Sequence, residues 1–552
     1  MSTQAAPSRA AADHPRRRRR VDPRLAPVLR AAISALVATW VVLSGVRGSG
    51  HRLVRDFVAV PTPAAPESLL PSTASSLRAW PLDGLTWAAS FVIPTAAQQV
   101  VLLASCLLLA GLGTGLVVRR AGTAAAVAAA WVAIWNPYVA ERLLLGQVPT
   151  LLGYASLPWI VVVGRSRLSS GRRLALLFLV AAPAAVTPWG GVLALVAAVL
   201  VELSRADRTP RRVLLVAGVG VLWCSPWLVP ALLAGGVAAD PDGPAAFALA
   251  DDSGLGAWVS ALMGGGVWAT GAQPLSRTDP VAIASSLALV ALALGGVAVL
   301  KARSAPEAVR SRRGARALVT AALACLALLG PATLAWWASG PGLEVLVTLQ
   351  RVPGVALARD QHRMLAPAVL TLAVLVGLAV GWLARHGGAA ASALACVLVV
   401  ALGVASVPDL VRSVHTAYRP VAYPQEWDAV IDAVSTDASP TVLSLPWQPL
   451  RRPAWAGDPA FLDPLPRAVP GTTLVSTALS VERGGTVVVV DDTPVDEVWA
   501  TGEVSADSLR RHHVTHVVEW LGTPGALARS HEGWRLVHSG ADFRVWDVTP
   551  DG

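Results

Sequence analysis

Polar residues that could do chemistry gather in three short stretches, and long apolar runs separate these stretches from one another. Their members are Arg55, Asp56 and Asp83 in the first stretch, Asn136, Glu141, Arg142 and Gln147 in the second, and Arg359, Asp360, Gln361, His362 and Arg363 in the third. A carboxylate can accept a proton from a reacting hydroxyl, and arginine offers a two-pronged donor to phosphate oxygens. The sequence therefore provides a candidate base and candidate phosphate ligands.

Each stretch also has a purely structural interpretation. Asp56 beside Arg55 is typical of a solvated ion pair, which contributes little. Asn136 can cap the short helix that Pro137 begins, so the second stretch could be a corner at the membrane surface. The third stretch could anchor the helix that starts at Met364. Charged groups in or beside apolar spans cost about 2.5–3.5 kcal/mol each on insertion scales, which favours a functional role.

Several standard chemistries leave no motif in the chain. There is no Walker phosphate loop, no GxSxG elbow, no HExxH pair and no paired CxxC. These absences argue against an ATP-driven pump. The histidines near residue 513 fit a helix end followed by a strand, and the cysteines lie inside apolar runs, so the sequence predicts no metal ligands. It leaves a requirement for a divalent metal open.

The composition indicates a membrane protein. The chain of 552 residues is 54% hydrophobic and 14% charged, whereas soluble domains average about 25% charged residues. The net charge of +10 comes from arginines in short loops beside apolar spans, including residues 16–20. That placement favours orientation signals and contact with anionic lipid, and we expect no nucleic-acid partner.

Apolar stretches predict about eleven transmembrane helices. The predicted spans are 25–45, 94–118, 121–136, 148–163, 173–187, 189–204, 212–233, 282–301, 316–338, 364–385 and 389–407. If the basic N-terminal tail is cytoplasmic, every alternate loop carries arginine or lysine, as the positive-inside rule requires. An odd number of spans then places the C-terminal region outside the cytoplasm, in a multi-pass protein of the plasma membrane.

The chain thus divides into a basic cytoplasmic tail at 1–24, a transmembrane region at 25–410 with outside loops at 46–93 and 234–281, and a C-terminal extracytoplasmic domain at 421–552. Alternating runs in the last part predict an α/β domain. Its predicted strands are 441–445, 486–490, 516–520 and 543–548. Its predicted helices are 423–434 and 505–512, the second capped by Ser505.

These motifs resemble the GT-C glycosyltransferases, including the YfhO-like and the actinobacterial arabinofuranosyltransferase-like membrane proteins. The resemblance is carried by Arg55-Asp56-Phe57, by 135–147 with 153–159, by 358–367, and more loosely by 445–447 and 458–466. It implies a GT-C-like helical membrane domain in which an acidic residue of the first outside loop acts as general base or orients the acceptor. Asp56 matches that residue by position.

The resemblance also implies a polyprenyl-phosphate-linked sugar as donor substrate, and a glycan, lipid or protein of the cell envelope as acceptor. Arg142, Arg359 and Arg363 would then offset charge on the departing phosphate. Two alternatives stay open, namely a transporter or flippase of a lipid-linked glycan and a non-catalytic scaffold for envelope assembly. A transporter should carry its charges near the bilayer midplane, whereas here they gather at the ends of spans.

Overall fold

The computed structural model describes residues 25–66, 80–233, 240–302, 325–352, 355–436, 439–483, 486–491 and 494–548. The predicted basic tail and its arginine run lie outside these residues. Most of the described chain is helical, and a small α/β domain follows the helices.

Helices α1 to α15 form the first part of the structure. Their bounds are α1 Ala26–Val42, α2 Leu82–Ser90, α3 Thr95–Val118, α4 Thr123–Ile134, α5 Pro137–Leu144, α6 Val148–Gly164, α7 Ser170–Ala181, α8 Pro188–Leu203, α9 Pro210–Leu233, α10 Gly243–Ala246, α11 Ala257–Leu262, α12 Pro280–Ala302, α13 Cys325–Trp337, α14 Gly340–Leu349 and α15 Ala366–Ser406. Within the described residues, five helical segments are long and apolar enough to cross a membrane, and five more are apolar but shorter.

A helix overlaps each predicted span, and residues 316–324 of the ninth span lie outside the described residues. The two last predicted spans correspond to the two helical halves of α15, which meet at Gly388, where the backbone is not helical and φ is 73°. Among α1 to α15, and apart from the two short helices in the outside loop at 234–281, the helices α2 and α14 were not predicted. The nine-residue α2 and the ten-residue α14 lie in segments that are too short to cross a bilayer. The number of helices that cross the membrane stays a prediction.

Close helix packing in the bundle depends on small residues around the alanine-rich helix α4. Gly377 and Gly381 of α15 face this helix, and a Cβ at either position would lie 2.8 Å from the carbonyl oxygen of Ala125 or Ala121. Small residues at such spacing let helix backbones approach closely, which is a common means of helix association in membranes. The helix that leads into the Glu141 and Arg142 stretch is thereby held in the centre of the bundle.

The C-terminal part contains helices α16 Leu410–Ala417, α17 Trp427–Val434, α18 Leu465–Ala468, α19 Pro494–Trp499 and α20 Ala506–Arg511. Its strands are β1 Thr441–Leu445, β2 Leu450–Arg451, β3 Phe461–Leu462, β4 Thr472–Leu474, β5 Leu479–Arg483, β6 Thr486–Val490, β7 His516–Trp520, β8 Arg535–Ser539 and β9 Phe543–Asp547. The main sheet has the order β4-β1-β7-β9-β8, in which β1 is parallel to β4 and β7 while β9 is antiparallel to its neighbours.

The four predicted strands and the two predicted helices of this domain are confirmed, with small changes at their ends. The side chain of Ser505 accepts a hydrogen bond from the backbone N–H of Ser508, as expected for a cap. Strand β6 was predicted, but its pairing with β5 and the pair formed by β2 and β3 were not. Both pairs lie against the helical part of the chain, which bears on the site.

Candidate functional site

The loop that follows α1 is fixed to the start of α3 by Arg52. Its buried guanidinium donates hydrogen bonds to the carbonyl oxygens of Gly48 and Gly50 at 2.8 and 2.6 Å. Its backbone N–H donates to Gln99 Oε1 at 2.9 Å, and Gln99 Nε2 donates back to the Arg52 carbonyl at 2.8 Å. Arg52 thus anchors this loop to the start of α3.

Arg55 and Asp56 form the tip of a tight turn. The turn closes through reciprocal backbone hydrogen bonds between Val54 and Phe57 of 3.1 and 2.7 Å. Arg55 adopts a φ of 47°, which is uncommon for a residue with a side chain. The Asp56 side chain at the tip is exposed.

Gly146 lies directly beneath this turn. Its φ is 69°, and a Cβ at this position would lie 2.1 Å from the Val54 carbonyl oxygen and 3.0 Å from the Asp56 backbone nitrogen. Only a residue without a side chain lets the segment after α5 approach the turn so closely.

We therefore expect Gly146→Ala to displace the turn. It should lower the free energy of unfolding by about 1–3 kcal/mol more than a glycine-to-alanine substitution at a position where the added Cβ meets no atom. Gly254→Ala is the matched control, because Gly254 has a similar φ of 75° and no atom within 4 Å of its Cβ position. Thermal unfolding of both purified variants measures the difference. Equal shifts in melting temperature would contradict close packing at Gly146.

A chain of polar contacts joins Asp56 to the second and third stretches. Gln147 Nε2 donates to Asp56 Oδ2 at 3.2 Å, and Arg142 Nη1 donates to Gln147 Oε1. Arg142 also forms a bidentate pair with Asp360, with both N–O distances at 2.8 Å. Arg363 Nε lies 3.0 Å from Asp360 Oδ2. The structure thus brings together residues from three distant parts of the chain.

The charges of this group are arranged unequally between the interior and the surface. Arg142 is fully buried and Asp360 nearly so, whereas 29% of the Arg363 side chain is exposed. Burial alone would raise the pKa of Asp360, but the Arg142 and Arg363 guanidiniums outweigh it and hold that pKa well below its usual range. Asp360 is therefore a fixed anion that orients two arginines.

Asp56 has a different electrostatic environment. Desolvation by the surrounding protein raises the pKa of the Asp56 carboxyl above its ordinary value, whereas the hydrogen bond from Gln147 and the Arg363 and Arg55 guanidiniums act in the opposite direction. An exposed carboxylate with a raised pKa is suited to accept a proton from a bound hydroxyl.

Glu141 belongs to a second, fully buried network. Its Oε2 accepts from the Val267 backbone N–H at 2.9 Å and lies 3.1 Å from His362 Nε2. Its Oε1 lies 3.6 Å from Arg277 Nε, and the same nitrogen donates to Asp252 Oδ2 at 2.7 Å. Burial would raise the pKa of Asp252, but Arg277 lowers it to about 2. This network supports the segment that carries Arg142.

Asp252 and Arg277 were missed at the level of the sequence. Both lie between α10 and α12, in a segment rich in glycine and aspartate that shows no periodicity. The only available signal was indirect, since a carboxyl group such as that of Glu141 requires a hydrogen-bonding or oppositely charged partner in an apolar environment.

The remaining predicted residues have other contacts. Asn136 caps α5 by accepting from the Val139 N–H at 2.9 Å, and Gln361 bonds the Trp337 carbonyl and the Leu249 N–H at 2.9 and 3.2 Å. Asp83 pairs with Arg467 of α18 at 3.3 Å, and Arg359 pairs with Asp491, which follows β6, at 3.1 and 3.2 Å. Asp83 and Arg359 therefore connect the helical part to the C-terminal domain.

No group of three or more His, Cys, Asp or Glu side chains within the described ranges is arranged to hold a metal ion. Of the carboxylates at this site, Asp360 is paired with Arg142 and Arg363, and Asp56 accepts a hydrogen bond from Gln147.

No family model and no curated protein matches the sequence. Among solved structures, the cryo-EM structure of arabinofuranosyltransferase AftD from Mycobacteria matches with a TM-score of 0.55 and 17% identity, over 95% of this chain and 40% of that chain. A mutant of AftD matches with a TM-score of 0.52 and 18% identity, over 94% and 41%. The Archaeoglobus fulgidus oligosaccharyltransferase in complex with Zn and sulfate matches with a TM-score of 0.41 and 12% identity, over 89% and 68%, and supports no argument here.

The chain thus spans about 40% of the length of AftD. At this level of identity the match shows a common fold. The fold expected from the resemblance is confirmed at that level, because the helices and the C-terminal α/β domain together share the fold of this arabinofuranosyltransferase over 95% of the chain.

Proposed function

We propose that this protein is a glycosyltransferase that moves a sugar from a polyprenyl-phosphate donor to an acceptor of the cell envelope, at the outer face of the plasma membrane. The observation that carries the proposal is the exposed Asp56 carboxylate, which is hydrogen-bonded through Gln147 to the buried Arg142–Asp360 pair and lies close to the partly exposed Arg363. The fold shared with an arabinofuranosyltransferase supports glycosyl transfer as the reaction class.

The chemistry follows from these positions. The Asp56 carboxylate accepts the proton of an acceptor hydroxyl while that oxygen attacks the anomeric carbon of the donor sugar. The bond between the anomeric carbon and the phosphate oxygen breaks, and its electron pair leaves with the lipid phosphate. Arg363, which Asp360 holds in place, offsets the negative charge that grows on this phosphate. The lipid-linked sugar is thus a substrate and not a cofactor.

The ends of the helices support the proposed orientation. Helix α3 begins at Thr95, whose Oγ1 lies 3.0 Å from His51 Nε2 on the loop that carries Asp56, and it ends beside Arg119 and Arg120. The basic residues are therefore at the end of α3 opposite to Asp56. By the positive-inside rule, this arrangement supports a cytoplasmic N-terminus, with Asp56 and the α/β domain outside.

A transfer assay with the purified full-length protein tests this function. We expect label to pass from a polyprenyl-phosphate-linked sugar to cell-envelope acceptors, and Arg363→Gln to reduce the rate by roughly 10–100-fold, because one charge-assisted contact to the phosphate is lost. Arg510→Gln is the control, since its side chain is 63% exposed and pairs with Asp507 on the α/β domain.

The assay can contradict the proposal in two ways. An unchanged transfer rate in Arg363→Gln would contradict the assignment of Arg363 as a ligand of the donor phosphate. Movement of labelled lipid across reconstituted vesicles, with no transfer from any lipid-linked sugar, would favour a flippase instead.

A further inference from the structure

The C-terminal domain adds backbone directly to the turn that carries Asp56. The Arg55 backbone N–H donates to the Ala460 carbonyl at 2.8 Å, and the Leu462 N–H donates to the Arg55 carbonyl at 2.8 Å. Phe461 of β3 therefore lies between two neighbours, Arg55 on one side and Arg451 of β2 on the other. Neighbouring strands are about 4.8 Å apart, so the backbones at Arg55 and Arg451 are about 10 Å apart.

Arg452 follows Arg451 and is exposed, whereas Arg451 is buried and paired with Asp463 at 2.7 Å. The Arg55 guanidinium lies against Gly271, where a Cβ would be 2.7 Å from Arg55 Nη2. Burial lowers the pKa of Arg55, Asp56 opposes this effect, and the nearby charge of Arg452 adds to it. The two guanidiniums are thus close enough to repel each other.

Arg55 and Arg452 differ from the other arginines of the site. Arg142 and Arg363 pair with Asp360, Arg467 pairs with Asp83, and Arg451 pairs with Asp463. Within the described ranges, neither Arg55 nor Arg452 forms an ion pair or a side-chain hydrogen bond. Asp56 offsets part of the charge of Arg55, and an oxyanion whose acceptor oxygens reached both guanidiniums would relieve the remaining repulsion.

We propose that Arg55 and Arg452 form a subsite for a phosphate group beside Asp56, half of which is supplied by the C-terminal domain. This inference rests on the proposed function and extends it to a residue for which the sequence offered no role. The phosphate is either that of the lipid donor or one carried by an anionic acceptor. Both sources offer the same oxygens to the two guanidiniums.

Binding measurements on the full-length protein in nanodiscs test the subsite. The probes are a polyprenyl phosphate without a sugar and inorganic pyrophosphate, each titrated in the presence and absence of the other. We expect Arg452→Gln and Arg55→Gln to weaken pyrophosphate binding about tenfold or more, because each removes a charge-assisted contact. Arg529→Gln is the control, since its side chain is 62% exposed and pairs with Glu503 on the same domain.

The outcomes separate the two sources. If the subsite takes the donor phosphate, pyrophosphate competes with the lipid and both variants weaken both probes. If it takes a phosphate of the acceptor, the variants weaken pyrophosphate alone, and the lipid binds unchanged without competition. If both variants bind both probes as Arg529→Gln does, the subsite is disproved. Asp56→Asn keeps both arginines and should therefore retain pyrophosphate binding. If the wild-type protein binds pyrophosphate but transfers no sugar, the proposed function is overturned and the subsite is left intact.

Discussion

Asp56→Asn should lower the rate of sugar transfer by about 10²–10⁴-fold, because positioned general bases contribute factors of that size. Asparagine keeps the shape of the side chain and an oxygen that can accept the hydrogen bond from Gln147, but it cannot take up the proton of the acceptor. The affinity for the lipid donor should change far less than the rate. Initial rates at saturating donor, together with donor binding, measure the two effects separately.

The wild-type pH profile provides an independent readout of the same residue. A general base acts only when it is deprotonated, so the rate should fall as the pH decreases through the pKa of Asp56. Because the folded protein raises that pKa, the acidic limb should lie above the ordinary aspartate value of 3.8. A limb at or below that value would contradict the assignment.

Asp207→Asn is the matched control for Asp56→Asn. Asp207 is an exposed aspartate that also contacts arginines, Arg205 and Arg212, but it lies in the loop between α8 and α9, away from the Asp56 turn. Wild-type transfer is expected from this variant. An Asp56→Asn protein that is as active as Asp207→Asn would rule out Asp56 as the base.

Breaking the buried Arg142–Asp360 pair should have the second large effect. Removing one partner leaves an uncompensated charge in the interior, which costs about 3–5 kcal/mol. We therefore expect Arg142→Gln and Asp360→Asn each to lower the melting temperature of the purified protein strongly. Since Asp360 also orients Arg363, transfer should fall further than the loss of folded protein explains.

The pair formed by Arg173 and Glu202 is the control for this experiment. It is also buried, with 3.4 Å between Arg173 Nη2 and Glu202 Oε2, but it joins α7 to α8 and touches none of the residues around Asp56. Arg173→Gln should lower stability and leave transfer per folded molecule unchanged. Equal loss of transfer in both variants would mean that Arg142 supports only the fold.

The helices could be predicted because apolar length alone defines a span. The strands β1 and β7 could be predicted because their β-branched and leucine runs are bounded by turn residues. By contrast, β8 has an almost fully exposed pattern, and an exposed strand shows no alternation to detect. The short helix α2 gave no signal that distinguished it from the proline-rich segment before it.

The site could be predicted as a set of residues but not as a set of contacts. The sequence indicated that Arg142 and Asp360 matter, yet 218 residues separate them, and nothing in their spacing predicts a bidentate pair. Arg359 was predicted beside Arg363 as a phosphate ligand, and in the structure its guanidinium pairs with Asp491. Such pairings depend on tertiary packing, and no periodic pattern in a single sequence reveals them.

The backbone pairing of Arg55 with Ala460 and Leu462 has a consequence for biogenesis. A ribosome makes the Asp56 loop about four hundred residues before it makes the strand that borders this loop. During synthesis and membrane insertion, the nascent chain therefore holds a candidate base without its neighbouring β3 and without Arg452. If the proposed function and orientation hold, competence for transfer arises only after the C-terminal domain has crossed the membrane and folded, so an incompletely synthesised chain does not consume lipid-linked sugars.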